Sequence, residues 1–259
     1  MCVRLRKEWR GLVQGARSLD AQTATVLTLY GVFVVLHYKV GGRGFFLTHV
    51  APESSTLHSW IWWFGTQAVT GFVLPVLVLL VVFRQHPAAI GLGGGDWKFA
   101  LVALALYLPV VAAGTWVLSD GSEFQEVYPH YRAAATDWNL FLIYHAAFLL
   151  YWVGWEYLWR GFLLFGTART LGLHAILVQA VPFALLHLQK PAVELILSLL
   201  GGIALGALVW RCRAFWIAVP IHAAQMLALD VWCSLRVRTG VSGTGPEALL
   251  ALIRAVGGG

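Results

Sequence analysis

An all-α, polytopic transmembrane bundle of about seven helices is the fold class the sequence predicts, on three observations. Hydrophobic residues make up 59% of the 259-residue chain and charged ones 12%, and the mean hydropathy is +0.73. That lies well outside the composition of an ordinary soluble domain. The apolar runs are long and do not alternate, which favours helices over barrel strands. A hydrocarbon core about 30 Å thick takes roughly 20 apolar residues per helix, and lipid offers an open backbone no partners, so the length accommodates about seven spans.

Residues 1–20 (MCVRLRKEWRGLVQGARSLD) read as a basic cytoplasmic segment, too polar for a cleavable signal peptide, so the first span doubles as the targeting signal. Apolar patterning then predicts helices over 23–38 and 60–83, the second with Trp60, Trp62 and Trp63 as an interfacial aromatic belt. The Gly- and Pro-rich "HPAAIGLGGGDWK" reads as a flexible connection, and a third helix follows over 99–118. The acidic stretch "DGSEFQEVYPHYRAAATD" reads as an aqueous loop, placed so that "FQEVYPHYR" could read a substrate or serve as a solvated connector. Further helices are expected over 138–169, 172–188, 192–210 and 215–234, with "PEALLALIRAVGGG" as a short helix on the membrane surface. The resulting division is a basic N-terminal segment (1–20), N-terminal helices and loops (21–137), a helical core (138–235) and a tail (236–259).

Lys and Arg near the helix ends number ten on the side of the N-terminus and seven on the other, which places the N-terminus in the cytoplasm. The net charge of +6 reflects that orientation; no basic face interleaved with aromatics points to nucleic acid. Cys2, Cys212 and Cys233 are too few and scattered for a disulfide framework or zinc ribbon and read as ordinary thiols.

Ionisable side chains at membrane depth are functional-site hypotheses by default. The spans contain Glu156, Glu194 and Asp230, with His37, His145, His174, His187 and His222. Glu194, near Lys190 and a helix start, reads as structural; Asp230, His37 and His174 sit near helix ends, within reach of headgroups; His145 has no companion in sequence. Glu156 and Arg160, four residues apart in "WEYLWRGFLLF", share a helix face and can pair. A turn near Leu171 and Gly172 would bring Glu156 and His187 to similar depth on antiparallel helices, where a carboxylate and an imidazole can activate a water. His222 follows Pro220, whose missing N–H loosens a helix and frees a carbonyl. The same residues could instead form a polar network that only holds helices together.

With these residues in place, the chain resembles the CPBP family, the CAAX-prenyl-protease and bacteriocin-processing type of glutamic intramembrane endopeptidases. "WEYLWRGFLLF" is similar to the family's Glu-Glu-x-x-x-Arg motif, "FALLH" with Phe183 and His187 to Phe-x-x-x-His, and "HAAQM" with His222 to His-x-x-x-Asn or Asp. The resemblance covers about residues 138–235, with the motifs in the family's order on separate helices. Trp155 stands where the family has its first glutamate, and Met226 stands at the final Asn or Asp. A thioether donates no hydrogen bond; Gln225, Arg160 or Tyr157 could supply one instead.

What the resemblance implies is hydrolysis of a peptide bond in a membrane-anchored protein or peptide, within or beside the bilayer. Glu156, helped by His187, would be general base, His222 would stabilise the oxyanion, and Arg160 would fix Glu156. No cofactor or metal is expected: two histidines and a glutamate can hold zinc, but these histidines lack the i, i+4 spacing of a zincin helix. The expected location is a prokaryotic plasma membrane, with leader peptides or C-terminal anchors as substrates. Two other functions compete: a noncatalytic scaffold or immunity protein, consistent with Trp155 and Met226, and a transporter using Glu156 as a proton relay. Against transport, no inverted repeat relates the two halves.

Overall fold

The computed structural model of the protein describes residues 2–16 and 19–257, and among them every regular element is helical. In chain order these are α1 (Cys2–Ala16), α2 (Ala21–Lys39), α3 (Thr56–Val82), α4 (Trp97–Leu118), α5 (Ser122–Val127), α6 (138–171), α7 (Ala175–Leu185), α8 (Ala192–Cys212), α9 (Ala218–Thr239) and α10 (Pro246–Gly257). Six stretches are long and apolar enough to cross a membrane, and the fourth of these, Trp138–Leu185, doubles back on itself. Gly172, at φ 52°, makes that reversal between α6 and α7, a conformation glycine adopts without steric cost. Phe183 consequently packs its ring 5.5 Å from Trp159 and 5.9 Å from Trp155. The expected turn at 171–172 is present, and the bundle is the expected polytopic one.

Helix starts are set locally. Asp20 accepts from the N–H groups of Gln22 and Thr23, Ser55 from His58, Asp96 from Phe99, and Asp137 from Asn139 and Leu140. Each satisfies amides that would otherwise be orphaned at the helix end. Asp20 also accepts from the hydroxyls of Thr23 and Thr170, tying the start of α2 to the end of α6. Burial works to raise its carboxyl, but these hydrogen bonds outweigh it and hold the pKa at about 2.

Three stretches differ from the sequence expectation. The basic N-terminal segment forms α1, with Leu5 and Trp9 exposed among Arg4, Arg6, Lys7 and Arg10, the pattern of an interfacial helix. The Gly-rich connector before α4 is tied down: Asp96 N–H donates to Cys212 O, Phe215 N–H donates to Gly91 O, and Ile90 is buried. A Cβ on Gly95 would stand 2.2 Å from that same Cys212 carbonyl, so the close approach needs glycine. The acidic stretch is no simple aqueous loop either, because it folds over one end of the bundle through α5 and buries Phe124, Tyr128, Ala134 and Ala135. Pro220 falls in the first turn of α9, which runs on from a short helical turn at Phe215–Ile217.

The contact that positions α6 is a backbone crossing with α3. A Cβ on Gly154 would stand 2.2 Å from Gln67 O, and one on Gly71 would stand 2.3 Å from Gly154 O. Small residues let membrane helices approach this closely, where dispersion and packing replace the hydrophobic drive available in water. Gly154 lies two residues before Glu156, so this crossing fixes the depth and rotation of the charged face. Gly154→Val should therefore destabilise the protein by about 1–3 kcal/mol or more. By contrast Gly65→Ala, in open space on α3, should leave stability unchanged or raise it by up to about 1 kcal/mol. Thermal unfolding of both variants in detergent micelles checks the contrast.

Candidate active site

Glu156 ends the α-helical part of α6, and the next seven residues, Tyr157–Leu163, run as a wider π-helical turn, a local distortion found often at functional sites. Glu156 and Arg160 are both fully buried. Arg160 Nη1 donates to Glu156 Oε1 at 3.2 Å and lies 3.1 Å from Oε2, and its guanidinium sits over the Phe183 ring at 4.2 Å. The charge is thus paired on one side and covered by an aromatic face on the other. The expected pairing of these two residues is present.

His222, on α9, reaches the same carboxylate: its Nδ1 lies 2.6 Å from Glu156 Oε1, and its ring packs 4.3 Å from Trp152. Donation by Nδ1–H to the carboxylate leaves Nε2 as the ring's lone-pair nitrogen. His187, just past α7, has Nδ1 2.9 Å from Phe183 O, so its Nε2 is likewise the acceptor. His187 makes no direct contact with Glu156 among the described residues; its link to the cluster runs through Phe183, whose ring lies 4.8 Å away and underlies Arg160.

A cavity of ≈550 Å³ opens inside the bundle, and His187, His222 and Arg160 line it, with Trp155, Gln225 and Met226. Glu156 does not line it; it stands behind the wall, clamped between Arg160 and His222. Trp155, where the family has a glutamate, turns an indole Nε1–H that has no partner among the described residues. Tyr107 on α4 donates to Gln225 Oε1 at 2.7 Å, which orients the amide and leaves its NH2 end unengaged. Met226 is buried beside it.

A second polar cluster lines the cavity. Tyr128 OH donates to Glu194 Oε1 at 2.6 Å, and Lys190 Nζ donates to Tyr128 OH at 3.0 Å and to His130 Nε2 at 2.5 Å. Burial pushes the Lys190 ammonium down, against Glu194 and Asp230, which raise it; burial, with Lys190 and Arg43 alongside, holds His130 well below the usual range and keeps it neutral. Glu194, on the cavity wall, thus has Tyr128 as its partner.

Two expectations change. Asp230 is not near headgroups but fully buried, and its Oδ2 lies 3.3 Å from His145 Nε2, the companion that the sequence around His145 does not reveal. His37 is buried against Trp63, its ring 3.8 Å away, while His174 is exposed as expected. Among the described residues no three His, Cys, Asp or Glu side chains converge as a metal site requires.

Residues 137–228 match the Rce1-like family, type II CAAX prenyl endopeptidase Rce1-like. The match spans all three motifs and bears out the resemblance to this family over about a third of the chain. No curated protein and no solved structure matches the chain.

Removing one member of the buried pair leaves the other charge uncompensated, so Glu156→Leu should cost about 3–5 kcal/mol, and Glu156→Leu with Arg160→Met should recover most of that loss. Unfolding of the two variants in micelles separates the outcomes.

Proposed function

We propose that the protein is an intramembrane endopeptidase that hydrolyses a peptide bond of a membrane-associated substrate, a leader peptide or a C-terminal anchor or sorting signal, using water activated by the His222–Glu156 pair. The observation that carries this reading is the 2.6 Å contact between His222 Nδ1 and the Glu156 carboxylate, with His222 on the cavity wall and Glu156 behind it. A carboxylate that orients an imidazole and stabilises the imidazolium is the arrangement of hydrolytic triads.

His222 Nε2 takes a proton from water as the hydroxyl oxygen attacks the scissile carbonyl, and Glu156, held by Arg160, stabilises the charge. The tetrahedral oxyanion accepts hydrogen bonds from the Gln225 amide, which Tyr107 orients, and from Trp155 Nε1–H. Collapse breaks the C–N bond as His222 returns its proton to the leaving amine. His187 Nε2, the second lone pair on the wall, positions the water. This division differs from water activation by Glu156 itself, and the burial of Glu156 behind Arg160 supports it. A noncatalytic scaffold or immunity role is the second reading, favoured by the indole of Trp155 at the place of the family's first glutamate.

The test is cleavage of a panel of membrane-anchored substrates by purified protein in liposomes, with and without a chelator. Cleavage that survives the chelator, falls by about 10²–10⁴-fold in His222→Ala and is impaired in His187→Ala and Glu156→Gln supports the peptidase. Folded protein that cleaves nothing across the panel supports the noncatalytic reading.

A further inference from the structure

Arg43, Trp60, Tyr128, His130 and Lys190 also line the cavity. They come from the segment after α2, the start of α3, the segment before α6 and the turn between α7 and α8, all at one end of the bundle. Tyr38 and Trp63 join Trp60 on that part of the wall, so this end carries an aromatic belt of the kind found at headgroup depth.

Not every charge there is paired. Lys190 is offset by Glu194 through the shared Tyr128 hydroxyl and by the buried Asp230 carboxylate. The Arg43 guanidinium carbon lies over the Trp60 indole at 4.0 Å, and Nε donates to Ser59 Oγ at 3.1 Å. Among the described residues no carboxylate pairs with Arg43, and its two Nη groups make no hydrogen bond. His130 bridges the two cations, its Nε2 on Lys190 and its ring 6.0 Å from the Trp60 indole that carries Arg43; its Nδ1 is a buried donor without a partner. Below this cluster the wall turns apolar at Leu186, Leu197 and Leu205.

From this placement we propose that Arg43 and Lys190 form a site for the phosphate of an anionic phospholipid, whose chains lie along the apolar wall. The donors match a phosphate: a planar guanidinium for two oxygens and an ammonium. Arg43, the cation with no carboxylate partner among the described residues, selects an anionic headgroup over a zwitterionic one, and the apolar wall selects a lipid over a free anion. The site is independent of the peptidase reading and stands whether or not the protein cleaves anything.

Native mass spectrometry of the detergent-purified full chain, titrated with dioleoylphosphatidylglycerol or dioleoylphosphatidylcholine, tests the site. The wild type should retain one phosphatidylglycerol in preference to phosphatidylcholine. Arg43→Gln and Lys190→Gln should each weaken it about fivefold, and Arg43→Lys should keep most of the affinity. Unchanged thermal unfolding of Arg43→Gln separates loss of binding from loss of fold. Phosphatidylglycerol retained equally by Arg43→Gln and wild type overturns the proposal. So does displacement of the lipid by equimolar glycerol 3-phosphate, which would make this a free-anion site, or by a peptide with a free C-terminal carboxylate, which would make it a peptide site.

Discussion

A fully buried carboxylate must be paired, and the organisation of this protein's core follows from how Glu156 meets that requirement. In water-free surroundings an isolated charge costs several kcal/mol, so Glu156 brings its own counter-ion one turn away in Arg160 and draws His222 from α9. Arg160 is covered by Phe183 from α7. One acidic side chain thereby ties three helices together, and the imidazole it orients faces the cavity.

That cluster can be held only because the backbones around it are fixed. The Gly71–Gly154 crossing sets α6 against α3, and the reversal at Gly172 returns Phe183 to the level of Trp155 and Trp159. Aromatic rings fill much of the remaining space: Tyr151 stacks on Trp155 at 5.4 Å and Phe64 on Phe148 at 4.5 Å. Two polar clusters line the cavity, one around His222 and one formed by the Lys190–Tyr128–Glu194 network, and His187 lies between them, its carbonyl accepting from Lys190 N–H. A chain entering it would pass from headgroup depth to the buried histidines.

Features that depend on local spacing were legible in the sequence. The Glu156–Arg160 pair is an i, i+4 relation on one helix, the turn at 171–172 follows from glycine after an apolar run, and the helices follow from hydropathy. Contacts between distant helices were not. Asp230 and His145 are 85 positions apart, as are Tyr107 and Gln225 at 118, and no periodicity links either pair. The charge of Glu156 in an apolar helix marks it as special in the sequence, but its contact with His222, on which the proposed role rests, depends on the packing of α9. The stretch 120–137 misled because its acids are real but so is the buried face formed by Phe124 and Tyr128.

The dependence of His222 on Glu156 is open to direct observation by ¹⁵N and ¹H NMR of protein labelled at histidine and reconstituted in micelles, wild type against Glu156→Gln, with His222→Ala to assign the signal. The account predicts that His222 carries its proton on Nδ1, with a strongly downfield resonance that collapses in Glu156→Gln while Nε2 remains unprotonated in the wild type. A His222 ring protonated at Nε2, with a spectrum indifferent to Glu156→Gln, would contradict it.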